Sequence, residues 1–196
     1  MKKVSKSLDS IILAEKLLYK VNGDNSKLSD YLLNEQNGFC VYTETFFGRS
    51  DKKEIDHFNP KLKGKPEDNY NNWFLIKAQW NSEKSTKWDN FQPVLHPTAD
   101  DFEDRIIYFE GDYFVFDSND IKASNLINLL KLDNIELAFE RKQYISRKRS
   151  EIKSYGNANL YFEKLIAEDI NSIRFIRAIE EEFDVDILIL LKKTSL

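Results

Sequence analysis

The chain has 196 residues, 41% of them hydrophobic and 13% aromatic, enough apolar matter for one folded domain and too much for wholesale disorder. A formal net charge of −4 argues against a protein that coats nucleic acid through overall basicity, so any phosphate contact has to come from a local patch. The single cysteine, Cys40, excludes an internal disulfide and a cysteine-cluster metal site, and it suits a reducing, cytoplasmic setting.

The N-terminal stretch MKKVSKSLDSIILAEKLLYK begins basic and turns partly apolar. Glu15 and Lys16 interrupt it and no small-residue cleavage site follows, so no signal peptide is expected. No uninterrupted apolar run reaches about eighteen residues, so no membrane span is expected either. Leu8, Ile11, Ile12, Ala14, Leu17 and Leu18 recur at helical spacing behind Ser7, predicting a helix over 8–20. SKLSDYLLNEQ predicts a second, ending near Asn37-Gly38. FCVYTETFF and KEIDHF then read as two short strands joined by the turn GRSDK. PKLKGKPEDNY is a charged loop, and NNWFLIKAQWNSEKSTKW reads as a helix behind a cap-like Asn. This is a strand–strand–helix unit with Asp56-His57 closing its second strand.

DRIIYFEGDYFVFD predicts a hairpin around Glu110-Gly111-Asp112. SNDIKASNLINLLKL predicts a helix, and two longer helical patterns over 134–154 and 157–182 meet at Tyr155-Gly156-Asn157. The expected architecture is therefore one α+β domain over 1–196. N-terminal helices occupy 1–36, a ββα core 37–90, a hairpin and helix 91–133, and a helical extension 134–196.

His57 carries the strongest chemical signal. Asp56 precedes it, Asn72 lies fifteen positions on, Asn81 nine beyond that, and Lys84 three further on the same predicted helix face. Asp56 and Asn81 are hard oxygen donors of the kind that suit a magnesium-type ion. An imidazole with a near-neutral pKa can take a proton from an attacking water. Asn72 can fix that ring or the loop that carries it, and Lys84 can neutralise a phosphate oxygen. If the helix packs across the hairpin, Asp56, His57 and Asn81 should converge on a single hydrated cation.

The segments CVYTE, EIDHFNPK and NYNNWFLIKAQWNSEK resemble the HNH (ββα-metal) endonucleases, and more narrowly the PtuB-type nucleases of Septu and retron-associated antiphage systems. That pattern runs Cys-x-Tyr-Cys-Glu, Asp/Glu-His-Phe-x-Pro-Lys, Asn-Leu, then Cys-Asn-x-x-Lys. FQPVLHP, IIYFEGDYF and NLLKLDNIELAFERKQ extend the similarity, which covers roughly residues 28–150. The resemblance implies a metal-dependent nuclease working with an SMC/ABC-like ATPase. Carried over, it makes His57 the catalytic base with Asn72 beside it, and Asp56 and Asn81 the ligands of a divalent ion, Mg²⁺ or Mn²⁺. It makes Lys84 the phosphate-side Lys and matches Glu44 to the Glu that closes the first motif. Beside the resemblance, Lys61 and Lys87 belong to a basic cluster around the site that suits backbone phosphate. Glu54, two before Asp56 on the same strand face, is a supporting acid within reach of the metal or a ligand. The departure is in the zinc-binding cysteines. Thr43 and Trp80 stand where two would be and Lys77 where another would fall, so no structural zinc is expected and aromatic packing takes its place.

Three readings of function follow. The first is an endonuclease cutting DNA inside an antiphage complex with an ATPase. The second is an inactive HNH-like module for docking or nucleic-acid sensing, and the third is a ribonuclease. No base-reading motif separates DNA from RNA. His96, between Pro93 and Pro97, reads as a loop residue with a local hydrogen bond. Trp73, Trp80 and Trp88 read as one buried helix face. The basic run RKQYISRKR over 141–149 reads as a solvated face.

Overall fold

The computed structural model describes residues 1–84 and 86–194, and the fold is mixed α+β. Ser85, inside the stretch expected to be helical, and residues 195–196, at the end of the C-terminal extension, lie outside the described residues. Two short helices come first, α1 (Ile11–Ala14) and α2 (Ser26–Glu35). The next unit is β1 (Lys53–His57), β2 (Trp73–Lys77) and α3 (Ala78–Lys84). The single turn α4 (Phe102–Arg105) leads into the hairpin β3 (Ile106–Phe109) and β4 (Asp112–Val115). The C-terminal half is helical: α5 (Ile121–Leu130), α6 (Ile135–Tyr155), α7 (Ala158–Asp169), α8 (Ile176–Phe183) and α9 (Ile187–Thr194). Among the described residues the strands form two antiparallel pairs, β1–β2 and β3–β4.

The strand–strand–helix order is present, built from different segments than the sequence suggests. The partner of β1 is β2, in the register Asp56↔Phe74 and His57↔Trp73, so WFLIK is a strand and not the start of a helix. Its first four residues are all buried, and a short apolar run covered on both faces has no period that separates strand from helix. FCVYTETFF folds into a tight knuckle. The Glu44 N–H donates to the Cys40 carbonyl at 2.8 Å, the Cys40 N–H donates to the Thr45 carbonyl at 3.0 Å, and Phe39 bridges Phe46. Glu44 takes a left-handed φ of 54°, which ends any strand there. The Gln36 side chain satisfies the outer edge of β2, accepting from the Leu75 N–H and donating to the Leu75 carbonyl, both at 2.8 Å.

Two other helical expectations are revised. The helix expected over 8–20 is a single turn capped by Ser10 rather than Ser7, because Lys16 turns left-handed at φ 52°. So short a helix is marginal alone and takes its extent from packing. The pattern over 157–182 breaks after α7. Ile173 is extended and Arg174 bridges Thr45 on the knuckle, and Phe175, left-handed at φ 59°, donates its N–H to the Glu44 carbonyl at 2.8 Å before α8 begins. The three tryptophans do not share a helix face: Trp73 lies in β2, Trp80 in α3 and Trp88 in a short 3-10 turn. Trp73 and Trp88 are nonetheless buried, and Trp80 packs against the same core.

One apolar cluster joins β2 to α2 and α5 through Phe74, Leu75, Leu32 and Leu126; a second joins α6 to α9 through Ile145, Phe162, Ile179 and Leu191. The basic run on α6 is partly interior. Arg141 is buried and donates to the carbonyls of Gly111 (2.6 Å) and Leu132 (2.7 Å), and Lys148 is buried beside Tyr161. None of the described helices is long and apolar enough to cross a membrane.

Candidate active site

Successive side chains leave a strand on opposite faces, so Glu54 and Asp56 share one face of β1 and His57 takes the other. Helix α3 crosses the Glu54–Asp56 face and pairs with it in two rungs. The Asn81 amide donates to Glu54 Oε2 at 3.0 Å. One helical turn on, Lys84 Nζ donates to Asp56 Oδ1 at 2.7 Å, to Oδ2 at 2.5 Å and to the His57 carbonyl at 2.9 Å. The Tyr42 hydroxyl also donates to Asp56 Oδ2, at 2.5 Å. Asp56, His57 and Lys84 are only 2%, 5% and 2% exposed. Asp56 therefore meets Lys84 where the sequence reading placed Asn81. A carboxylate this deeply covered is stable beside a counter-charge, and an amide would leave that charge unpaired.

The other face holds the imidazole. It stands perpendicular to the Tyr19 ring at a centroid distance of 4.3 Å. Asp68 Oδ2 lies 3.1 Å from Nε2, but off the hydrogen-bonding direction, so the contact is electrostatic and Nε2 is buried without a hydrogen bond. Burial pushes the His57 pKa below its ordinary value, with Lys63 and Lys84 pushing the same way and Asp68 and Asp56 opposing. A neutral imidazole results, the form that accepts a proton. Burial likewise lowers the Lys84 pKa against the opposing pull of Asp56, and it raises that of the Tyr42 hydroxyl, with Asp56 adding to the rise.

Asn72 holds the loop after His57 rather than the ring. Its Oδ1 accepts from the Asn59 N–H at 2.7 Å, and its Nδ2 donates to the Asn59 carbonyl at 3.2 Å and to Asp68 Oδ1 at 2.9 Å. Asp68 Oδ1 also accepts from Trp73 Nε1 at 2.7 Å. Asp68 is thus the residue the sequence reading missed. It sits in a charged loop with no periodicity, and its spacing of four before Asn72 is the only signal.

The remaining candidates are dispersed. Lys61 is exposed and paired with Asp89 at 2.7 Å, and Lys87 precedes the turn at Trp88. Glu54 is also held by Lys52 at 2.7 Å. Glu44 is engaged by other groups. It is buried and accepts from the Lys2 N–H at 2.7 Å, the Arg177 N–H at 3.3 Å and the Tyr113 hydroxyl at 3.2 Å. Cys40 is buried, its Sγ accepting from the Lys77 N–H at 3.4 Å. His96 makes the local contact expected of it, 2.7 Å to Thr98 Oγ1.

A divalent ion held by Asp56 and Asn81 does not fit this arrangement. Both Asp56 oxygens are taken, the two residues sit on different rungs, and no cluster of three acidic, His or Cys side chains suited to a metal occurs among the described residues. Compared with protein-family models, curated proteins and solved structures, the chain finds no match.

Proposed function

We propose that this chain acts on nucleic-acid phosphodiester bonds, DNA first, as an HNH-type hydrolase, and that the arrangement described is its closed, resting form. One observation carries the reading. Asp56, the His57 carbonyl and Lys84, separated by up to 28 positions, meet at one strand end on a strand–strand–helix unit, with the imidazole on the opposite strand face beside a second carboxylate, Asp68. In this reading neutral His57 takes the proton of the attacking water, and Asp68 favours the imidazolium that forms. Lys53 and Lys63, which line a surface recess with Tyr19, Glu54 and Asn81, hold backbone phosphates. Tyr19 roofs the imidazole, so substrate reaches it only when the segment carrying Tyr19 moves. The antiphage role and the ATPase partner belong to the same proposal and rest on the resemblance alone.

A specific observation favours a second reading. Both Asp56 oxygens accept, from Lys84 and Tyr42, and the pair is covered, as in a polar core that only holds a docking or nucleic-acid-sensing module together. Plasmid and RNA cleavage by wild type, Lys84→Met, His57→Ala and Lys84→Met/His57→Ala, in Mg²⁺, Mn²⁺ or EDTA, separates the two. Cleavage by wild type that vanishes in His57→Ala, or by Lys84→Met that vanishes in Lys84→Met/His57→Ala, supports the hydrolase, and confinement to RNA makes it a ribonuclease. Folded wild type and Lys84→Met that bind nucleic acid yet cut neither substrate favour the docking or sensing module.

A further inference from the structure

The oxygens expected to surround a metal ion already surround a cation. Asp56 Oδ1, Asp56 Oδ2 and the His57 carbonyl lie 2.7, 2.5 and 2.9 Å from one point, and that point is Lys84 Nζ. An ammonium has three protons to donate and all three are used. The rings of Phe58 and Trp88, with centroids 5.4 and 5.9 Å away, close the remaining side with their negative faces. Both charges are almost wholly covered. The placement follows from the two backbones: Glu54 and Asp56 are successive residues on one strand face, Asn81 and Lys84 successive on one helix face, and the rungs match in order.

We propose that Lys84 is the resident cation of this site. Its ammonium stands where a divalent ion would, so the folded chain binds no Mg²⁺ or Mn²⁺ at Asp56. A divalent ion needs the same carboxylate oxygens at contact distances of roughly 2.0–2.6 Å, which would set it against the ammonium in a covered, low-dielectric pocket. The two occupants exclude each other. Removing the amine leaves a buried carboxylate, a main-chain carbonyl and room for water, a hard-oxygen set open to a small divalent ion. The inference concerns the site of the proposed activity but is read through metal binding alone, so it stands or falls separately from cleavage.

Wild type, Asp56→Asn, Lys84→Ala and the double variant Asp56→Asn/Lys84→Ala are titrated with Mn²⁺, following the free-ion electron paramagnetic resonance signal and the thermal melt. Wild type is expected to take up no Mn²⁺ that depends on Asp56, and its melt to be the same in Mn²⁺ and EDTA. Lys84→Ala is expected to melt lower in EDTA, to bind one Mn²⁺ per chain and to recover several degrees on binding, with uptake and recovery both absent in the double variant. Mn²⁺ uptake by wild type that is lost in Asp56→Asn overturns the proposal, as does a folded Lys84→Ala that takes up none. If Lys84→Ala does not fold, Lys84→Met, which fills the space and places no donor on the carboxylate, replaces it with the same two outcomes.

Discussion

Lys6 carries its amine to the Trp73 carbonyl, 2.6 Å away, and over the rings of Tyr70 and Phe74, with centroids at 4.2 and 4.7 Å. Burial pushes its pKa down to about 7, with Glu35 pulling the other way. In the unfolded chain the same amine titrates near 10.5. Between those values the unfolded chain holds a proton that the folded chain has released, so stability rises with pH across that window. Below about 7 both states are protonated and the cost of burying the charge is felt in full. Urea unfolding at stepped pH is expected to show this slope in wild type and a flatter one in Lys6→Met; equal slopes would remove Lys6 as the cause. Nothing in MKKVSKS distinguishes Lys6 from its lysine neighbours, because the rings that cover it come from beyond residue 69. Asp68 is illegible for the same reason. His57 and Lys84 stand out in sequence through motif spacing, yet that spacing does not say that the two would meet through Asp56 and the His57 carbonyl.

Elements with local end signals are the ones read best. The β3–β4 hairpin turns at Glu110-Gly111 as expected. The 21 residues of α6 begin where Asn134 accepts from the Glu136 and Leu137 N–H groups and end at Gly156, left-handed at φ 91°. Asn157 then caps α7 through the Leu160 N–H. Gly111 has a double burden. Its φ is +88°, and an added Cβ would lie 2.5 Å from Lys142 Cγ and 3.1 Å from the Ala138 carbonyl oxygen on α6. Gly111→Ala is therefore expected to cost about 1–3 kcal/mol in chemical unfolding, by straining the turn and parting the hairpin from α6. A loss within about 0.5 kcal/mol, the usual range for surface changes, would mean that the turn relaxes freely. The elements read worst, α1 and β2, are short and depend on what covers them.

Glu44 spans the whole molecule. Through one buried carboxylate and its own carbonyl it ties the knuckle to the N-terminal segment, to Tyr113 on β4 and to the start of α8. Both the Lys2 and the Arg177 amide donate to the same oxygen, Oε1. Glu44→Ala is expected to speed hydrogen exchange at these two amides together, since they share one acceptor. Acceleration at one amide alone would show that the ends of the chain are held independently.

By itself the sequence determined the mixed α+β class, helices α2, α5 and α6, the hairpin, the helix break at Gly156 and the ordered run Asp56-His57, Asn72, Asn81, Lys84. These rest on caps, turns and periodicities that act over a few residues, so local sequence carries them. Only the tertiary structure decided that WFLIK pairs with β1, that Asp68 joins the imidazole, and that Lys84 rather than Asn81 stands on Asp56. Burial makes those choices: WFLIK is an apolar run covered on both faces, and Asp68 is placed by the Asn72 and Trp73 donors that satisfy it. Asp56, taken out of water, needs the counter-charge that Lys84 brings.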